Sequence, residues 1–231
     1  MKRFWTRAEA APAEGGHAIL LDGRQVHTPG RVALVVPTTA LAGAIAAEWD
    51  AVTDAIEPRA MRLTGLANAA VERIAPDPAR FARDLAAYGE TDLLCYRAEA
   101  PPPLVRRQAE AWDPWLDWAR RRYDVHFEIA SGVMHVAQPP ATLARLADAV
   151  AAQGPFALAA LSPVVTITGS LVLGLVLAEG AGSADALWDA AEVDEAWQAE
   201  QWGDDPLALA ARAARRADYD AAARFLTLAA G

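Results

Sequence analysis

The feature that most constrains the fold is a run of thirty residues without a charged side chain, Ala149 to Ala178. Length alone would admit a transmembrane helix, which needs about 20 apolar residues. However, Gln153-Gly154-Pro155 and Ser162-Pro163 interrupt the run, and the roughly fifteen residues left after the second proline are too few for a span. We therefore predict a buried central helix over Val164 to Ala178, covered on every side by other elements.

The composition fits a folded globular protein. The chain has 231 residues, of which 54% are hydrophobic and 22% charged, so it can build a sizeable core in one domain or two. Its net charge of −9 argues against a nucleic-acid partner, because phosphate binding requires a basic patch. The single cysteine, Cys95, allows no internal disulfide and agrees with a reducing compartment. Lys2 is the only lysine, which leaves no P-loop or Schiff-base lysine in the body of the chain.

The first part of the chain predicts a small sheet followed by helices. Asp22-Gly23 is a strong hairpin signal between strands at His17 to Leu21 and Arg24 to Thr28, and Val32 to Val36 supplies a further strand. Thr38 is the predicted N-cap of the first helix. We expect its buried face to comprise Leu41, Ile45, Trp49 and Val52.

The run Pro76 to Pro78 is the predicted linker, because it stops one helix and starts the next. These patterns predict an α+β chain. A small N-terminal α/β domain, a β-meander with helices over residues 1–76, is followed by a larger all-α orthogonal helical bundle over residues 77–231.

Two further elements are predicted in the second domain. A short hairpin around Ser131-Gly132 would join His126 to Ile129 with Val133 to Val136. A last helix would open after Asp205-Pro206 and carry one continuous apolar face. That face would comprise Leu207, Ala210, Ala214, Ala217, Ala221, Phe225 and Leu228.

The segment Asp185 to Asp205 is strongly acidic. Ten carboxylates and no lysine or arginine lie between Leu146 and Ala211, and eight of those acids fall in this segment among three tryptophans. As a single helix, at about 100° per residue, it would align a carboxylate within an aromatic stripe. The stripe would comprise Trp188, Ala191, Glu195, Ala199 and Trp202. Because burial of an unpaired charge is costly, Glu195 would pair with a distant arginine of this chain, be protonated, or face a surface completed by another molecule.

No residue pattern predicts catalysis. The four histidines lack metal-ligand spacing, Cys95 lacks a nucleophile signature, and Gly15-Gly16 lacks the dinucleotide-binding pattern. Asp194 and Glu195 cannot converge on one substrate, since successive helix positions point about 100° apart. We therefore expect no metal and no cofactor. An acidic surface rich in tryptophan is typical of a site that binds another protein.

Four segments recur in this order in a known family. The first segment contains Leu21-Asp22-Gly23-Arg24, and the second contains Glu48-Trp49-Asp50. The third and fourth segments are the most specific. The third is Thr91 to Arg97, preceded by Tyr88, and the fourth is Asp194-Glu195 with Gln198 and Trp202-Gly203. Together they resemble the ATP synthase assembly factor that chaperones the alpha subunit of the catalytic head. The chain departs from that family at Val52, where a glutamine is usual, and at Arg62, where a proline is usual.

The resemblance implies a chaperone without enzymatic activity. Such a protein binds the free alpha subunit and prevents its aggregation until alpha pairs with beta. The partner-binding residues implied are Glu195, Gln198, Trp202, Asp194 and Gly203, and those expected to hold the fold are Trp49, Asp92 and Tyr96. We also expect a monomer when free, no stable membrane insertion and, for a bacterial source, a cytoplasmic location, whereas the family is otherwise found in the mitochondrial matrix.

Two other functions compete with this one. The first is an enzyme of unknown reaction that uses an acidic cleft around Glu195, with Asp92 as a further candidate carboxylate. A deep pocket and a raised carboxylate pKa would favour it. The second is a peripheral membrane protein that uses the apolar run, although no basic residues flank that run.

Overall fold

A computed structural model describes residues 2–132, 134–203 and 205–231. The chain forms two compact units. Unit 1 comprises the residues up to Pro78 together with Gly154–Ala160 and Ala221–Gly231, and unit 2 comprises Ala79–Gln153 and Leu161–Asp220. Strands cluster near the N-terminus and helices follow, which confirms the α+β class.

Unit 1 contains a four-stranded antiparallel sheet. Its strands are β1 (Ala8–Ala13), β2 (Gly16–Leu21), β3 (Arg24–Gln25) and β4 (Val35–Val36). β2 is central and pairs with all three others. The predicted hairpin turn is confirmed: Asp22 and Gly23 both have positive φ, 47° and 79°, as a type I′ turn requires. The strand β1 was not predicted, because its alanines and Pro12 carry little strand propensity.

The first helix of unit 1 packs on this sheet and contacts the second helix. They are α1 (Thr39–Asp50) and α2 (Arg62–Ala69), which continues as a π-helical turn over Ala70–Ile74. Thr38 caps α1 as predicted, since its hydroxyl accepts a hydrogen bond from the Leu41 backbone N–H at 3.1 Å. The four residues of the predicted face are all buried. Glu48 on α1 also accepts hydrogen bonds from the first turn of α2, at Leu63 and Thr64, where backbone N–H groups lack partners in the helix.

Unit 2 is mainly helical. Its helices are α3 (Pro78–Ala86), α4 (Pro102–Tyr123), α5 (Pro140–Ala151), α6 (Pro155–Thr168), α7 (Leu171–Ala178), α8 (Ala184–Ala191), α9 (Val193–Trp202) and α10 (Pro206–Ala230), of which α3, α6 and α10 also contribute residues to unit 1. Two short 3₁₀ segments, Ala87–Thr91 and Leu93–Cys95, follow α3. The strands β5 (Tyr96–Arg97) and β6 (Ala130–Ser131) form a parallel pair.

The predicted central helix is divided differently from the prediction. α6 runs through Pro163 without ending, and the break falls instead at Gly169, whose φ of +66° ends α6 before Ser170 caps α7. The prediction of a single helix over Val164 to Ala178 is therefore wrong. The burial is as expected, because Leu171–Val176 are all buried. Within the described part of the chain, no helix is long and apolar enough to cross a membrane.

The predicted hairpin around Ser131-Gly132 is wrong. His126 to Ile129 form no strand, nor do residues 134–136, and Val133 lies outside the described residues. The segment is instead held by side chains: Gln138 accepts a hydrogen bond from the Glu128 backbone N–H and donates one to its carbonyl. Side-chain bonds of this kind satisfy the backbone without a partner strand, and β-propensity alone does not reveal them.

Candidate functional site

The acidic segment forms two helices rather than one. α8 begins at the Ser183 cap, whose hydroxyl accepts from the Ala186 N–H, and ends before Glu192; α9 starts at Val193. This interruption at Glu192 lies between the two tryptophans at the ends of the expected stripe. Trp188 is 3% exposed, whereas Trp202 is 79% exposed. The prediction of one continuous aromatic stripe is therefore wrong.

The buried carboxylate of the segment belongs to Glu192 at this junction. Its side chain is 7% exposed and accepts hydrogen bonds from Arg212 Nε at 2.6 Å and Arg215 at 3.4 Å, both on α10. The periodicity of one unbroken helix would place the buried carboxylate at Glu195 instead. The ion pair offered there as one alternative exists, but it is made by Glu192 and links the α8–α9 junction to α10.

Glu195 lies on the open side of α9, in a groove with a volume of about 370 Å³. Glu195 is exposed, and within the described residues its side chain makes no hydrogen bond or ion pair. We call this feature the α9–α10 groove. It is lined by Glu195, Ala196, Gln198, Ala199, Trp202, Gly203, Asp205, Ala208, Leu209, Ala211, Arg212 and Arg215.

Large apolar side chains are exposed at this groove. Trp202 is 79% exposed and Leu209 44%, and both line it, while neighbouring Leu207 on α10 is 80% exposed. The apolar face predicted for α10 is exposed to solvent over the first half of the helix, where Ala210 and Ala214 are exposed as well. An exposed apolar patch with a polar rim is typical of an interaction surface.

Four of the five predicted partner-binding residues meet in the α9–α10 groove: Glu195, Gln198, Trp202 and Gly203. The fifth, Asp194, does not line it and accepts a hydrogen bond from Gln108 Nε2 on α4 at 2.7 Å. Arg107 on α4 makes a bidentate ion pair with Glu200 at 2.7 and 2.8 Å. These contacts hold α9 on α4 and leave its other side free.

The three residues expected to hold the fold lie elsewhere. Trp49 is 9% exposed and packs edge-on against Trp5, with ring centroids 5.2 Å apart. Asp92 is fully buried, where it accepts hydrogen bonds from the backbone N–H groups of Leu94 at 3.0 Å and Val172 at 2.9 Å. Burial raises the pKa of Asp92 to about 6. Tyr96 is half-buried in β5, and its hydroxyl lies 3.1 Å from His135 Nδ1.

Known proteins resemble this chain in sequence and in fold. Residues 2–120 match the model of the ATP12 chaperone protein family. A crystal structure of Atp12 from Paracoccus denitrificans is 46% identical, with a TM-score of 0.93 over 99% of this chain and 98% of that one. This chain belongs to the ATP12 chaperone family.

Two other solved structures are also similar to this chain. An aspartate-to-lysine variant of Paracoccus denitrificans Atp12p has the same identity, 46%, and the same TM-score, 0.93, covering 99% of this chain and 97% of that one. A structure from Agrobacterium tumefaciens is 42% identical, with a TM-score of 0.93 over 98% of this chain and 85% of that one. The chain is therefore a chaperone of the family associated with ATP synthase assembly.

Three residues at the groove were not predicted from the sequence. Glu192, Arg212 and Arg215 form the ion-pair cluster beside it, and the arginines line it directly. One signal could have revealed them. Arg212 is the first cation after the long acidic stretch, and Arg215 follows one helical turn later, as expected for a helix face turned toward carboxylates.

The described residues contain no group of three or more metal-ligating side chains. Cys95, which the sequence left as a weak nucleophile candidate, is buried, and burial raises its pKa to about 12. A thiol that is not ionised near neutral pH is a poor nucleophile.

Proposed function

We propose that this ATP12 family member binds the free alpha subunit of the ATP synthase catalytic head through the α9–α10 groove, and that it prevents aggregation of alpha until alpha pairs with beta. The observation that supports this most directly is the exposure of Trp202, 79%, in the groove that also contains Glu195 and Gln198. Leaving so large an aromatic surface in water is unfavourable, and burial against a partner would recover that free energy.

The charges around Trp202 suit a partner with a basic surface. Glu195 lies in the groove without an ion pair among the described residues, so it can pair with a cation of the client. Arg212 and Arg215 line the same groove, but both already contact Glu192. The net charge of −9 adds long-range attraction for a basic client.

Release of the client requires no nucleotide hydrolysis in this proposal. The chain has one lysine, Lys2, and no P-loop. The incoming beta subunit would displace the chaperone by competing for the same surface of alpha, because two partners cannot occupy one surface.

The alternative of an enzyme with an acidic cleft gains little support. Glu195 lies in an open groove, and its side chain is exposed to solvent. Asp92 has a raised pKa, yet its two oxygens accept backbone N–H groups inside unit 2, where no substrate reaches them. The family is one of chaperones, and we propose that this chain has no catalytic activity.

Co-expression with the alpha subunit alone tests the proposal. Soluble alpha should be recovered only when this chain is present, and Glu195→Lys should abolish that recovery while leaving the thermal midpoint nearly unchanged. Asp189→Lys is the matched control, because Asp189 is an exposed acid of the same segment that does not line the groove. Both substitutions change the net charge equally.

The results separate specific docking from a general charge effect. If Asp189→Lys reduces the recovery of alpha as strongly as Glu195→Lys, long-range charge rather than the groove determines binding. If alpha is equally soluble without this chain, the assignment of alpha as the client is wrong. If Glu195→Lys unfolds the chain, Glu195 is structural and the docking site must lie elsewhere.

A further inference from the structure

Unit 1 contains a second candidate site, a cavity of about 280 Å³ between the segment that follows β3 and the helices α1 and α2. We call it the Trp49 cavity. It is lined by Val26, His27, Thr28, Pro29, Trp49, Ile56, Pro58, Met61, Thr64, Gly65 and Asn68. No lysine, arginine, aspartate or glutamate is among them, so the walls favour a neutral ligand.

Two lining residues carry buried polar atoms that lack hydrogen bonds. The indole N–H of Trp49 has no acceptor, and Oδ1 of Asn68 has no donor, among the described residues. The indole N–H of Trp5 is also unpaired, but Trp5 does not line the cavity. Such groups are rare in folded proteins because each destabilises the fold. Here one unpaired donor and one unpaired acceptor belong to two residues that line a single cavity.

A donor and an acceptor together match a peptide group, which offers a C=O and an N–H. The apolar walls, among them Val26, Ile56 and Met61, suit an aliphatic side chain next to that peptide group. The volume is just below the usual range for small-molecule sites, about 300–1,000 Å³, and is too small for a nucleotide or other large cofactor. It is adequate for one side chain and its backbone.

We propose that the Trp49 cavity binds an extended polypeptide segment through one aliphatic side chain, with the segment's C=O accepting from Trp49 Nε1 and its N–H donating to Asn68 Oδ1. Both atoms are buried, so binding requires the side chains that cover them to move. The segment belongs to the client polypeptide. That last step rests on the proposed function, whereas the chemistry of the cavity does not.

Binding can be measured on the intact protein with N-acetyl-leucine N-methylamide, which carries one aliphatic side chain between two peptide groups. In ¹⁵N-labelled protein, the indole resonance of Trp49, assigned by its loss in Trp49→Phe, should shift and saturate as this probe is added. N-acetyl-alanine N-methylamide, in which a methyl group replaces the larger isobutyl side chain, should bind more weakly. No saturable shift with the leucine probe would overturn the proposal.

Asn68→Leu gives a readout that a structural role would not. Leucine has nearly the same size but removes the unpaired acceptor, so the thermal midpoint should rise while probe affinity falls about three- to tenfold, as expected for one lost hydrogen bond. For a purely structural asparagine, the substitution would lower the thermal midpoint and leave the probe affinity unchanged. A lowered midpoint, or unchanged affinity, therefore contradicts the proposal.

Gly65→Leu should fill the cavity without disturbing the fold. Gly65 is an exposed position of α2 that lines the cavity, and a Cβ there would meet no atom within 4 Å. Gly43→Leu is the matched control, because Gly43 is an exposed helical glycine of α1 with equally open surroundings and does not line the cavity. Probe binding should be lost only in Gly65→Leu. Equal binding by both variants would exclude the cavity as the site.

The source of the segment is tested separately. Gly65→Leu should reduce recovery of soluble alpha in co-expression, and Gly43→Leu should not. If the free protein instead forms a dimer in light scattering that Gly65→Leu abolishes, the segment comes from a second copy and its assignment to the client is wrong. Probe binding should persist in Glu195→Lys, so failure of the groove and failure of the cavity are distinguishable.

Discussion

Glu192 and Glu195 lie three residues apart on the acidic segment but should respond oppositely to the same substitution. Glu192 is buried and hydrogen-bonded to two arginines, whereas Glu195 is exposed in the groove. Replacing each with glutamine removes one charge and little volume. We expect Glu192→Gln to destabilise the fold with little direct effect on the groove surface, and Glu195→Gln to weaken client binding with little effect on stability.

The size of the stability effect follows from the contacts of Glu192. A hydrogen bond to a charged group contributes about 1.5–3 kcal/mol, and Glu192 accepts one from Arg212 at 2.6 Å and a longer one from Arg215 at 3.4 Å. The arginine side chains are 43% and 45% exposed, so water replaces part of the loss. We therefore expect Glu192→Gln to cost about 1–2 kcal/mol, and Glu195→Gln less than about 0.5 kcal/mol.

Urea unfolding followed by tryptophan fluorescence measures both values. In thermal unfolding, the same loss should lower the midpoint of Glu192→Gln by about 2–8 °C, at about 2–4 °C per kcal/mol for a chain of this length. Because Glu192 attaches to α10, amide hydrogen exchange should also quicken over the first half of that helix in Glu192→Gln. Glu195→Gln should leave exchange there unchanged.

Two results would refute this division of roles. If Glu195→Gln costs as much free energy as Glu192→Gln, Glu195 is part of the folded framework. If Glu192→Gln is neutral, the two arginine contacts do not stabilise the fold. Arg212→Gln in the Glu192→Gln background provides a check, because the second substitution should then cost less than it does in the natural chain.

Three further predictions concern single side chains. Trp202→Ala should leave the urea midpoint unchanged within error, because Trp202 is 79% exposed. The same substitution should raise the Kd for the alpha subunit at least about tenfold, as truncation of an aromatic anchor does. An unchanged Kd would show that Trp202 is not part of the interface. Burial raises the pKa of Asp92 from 3.8 to about 6 in the fold, so the folded form holds the Asp92 proton more tightly than the unfolded form does. The free energy of unfolding should therefore fall by up to about 3 kcal/mol as pH rises through this range, measured in urea relative to Asp92→Asn. An increase in the free energy of unfolding over the same range would contradict this prediction. Burial raises the pKa of Cys95 to about 12, so this thiol should resist a thiol reagent at pH 7 in the native protein and react promptly in urea. Rapid labelling of the native protein would show that this region opens readily.

Elements defined by local chemistry were predictable from the sequence. The turn at Asp22-Gly23 requires two positive φ angles, which few residue pairs adopt, and the sequence offers such a pair between two strand-like segments. The cap at Thr38 requires only a hydroxyl three residues before the Leu41 N–H. Each depends on atoms within a few residues, so the local sequence carries enough information.

Features that depend on distant contacts were not predictable. The strand β1 pairs along its whole length with β2, and this pairing outweighs the weak β-propensity of its alanines. The bend at Glu192 coincides with its contacts to Arg212 and Arg215, about twenty residues later. The periodicity of the acidic segment carries no information about these distant arginines. The sequence pattern alone therefore placed the buried carboxylate at Glu195.

The apolar face of α10 is buried in the second half of the helix and exposed in the first half. The predicted face is a genuine helical pattern, and in its second half Phe225 is fully buried. In the first half the same pattern continues through Leu207 and Ala210, which are exposed beside Trp202. An amphipathic pattern indicates which face of a helix is covered, but not whether this chain or another covers it. We infer that the client covers the apolar face of the first half of α10 in the complex.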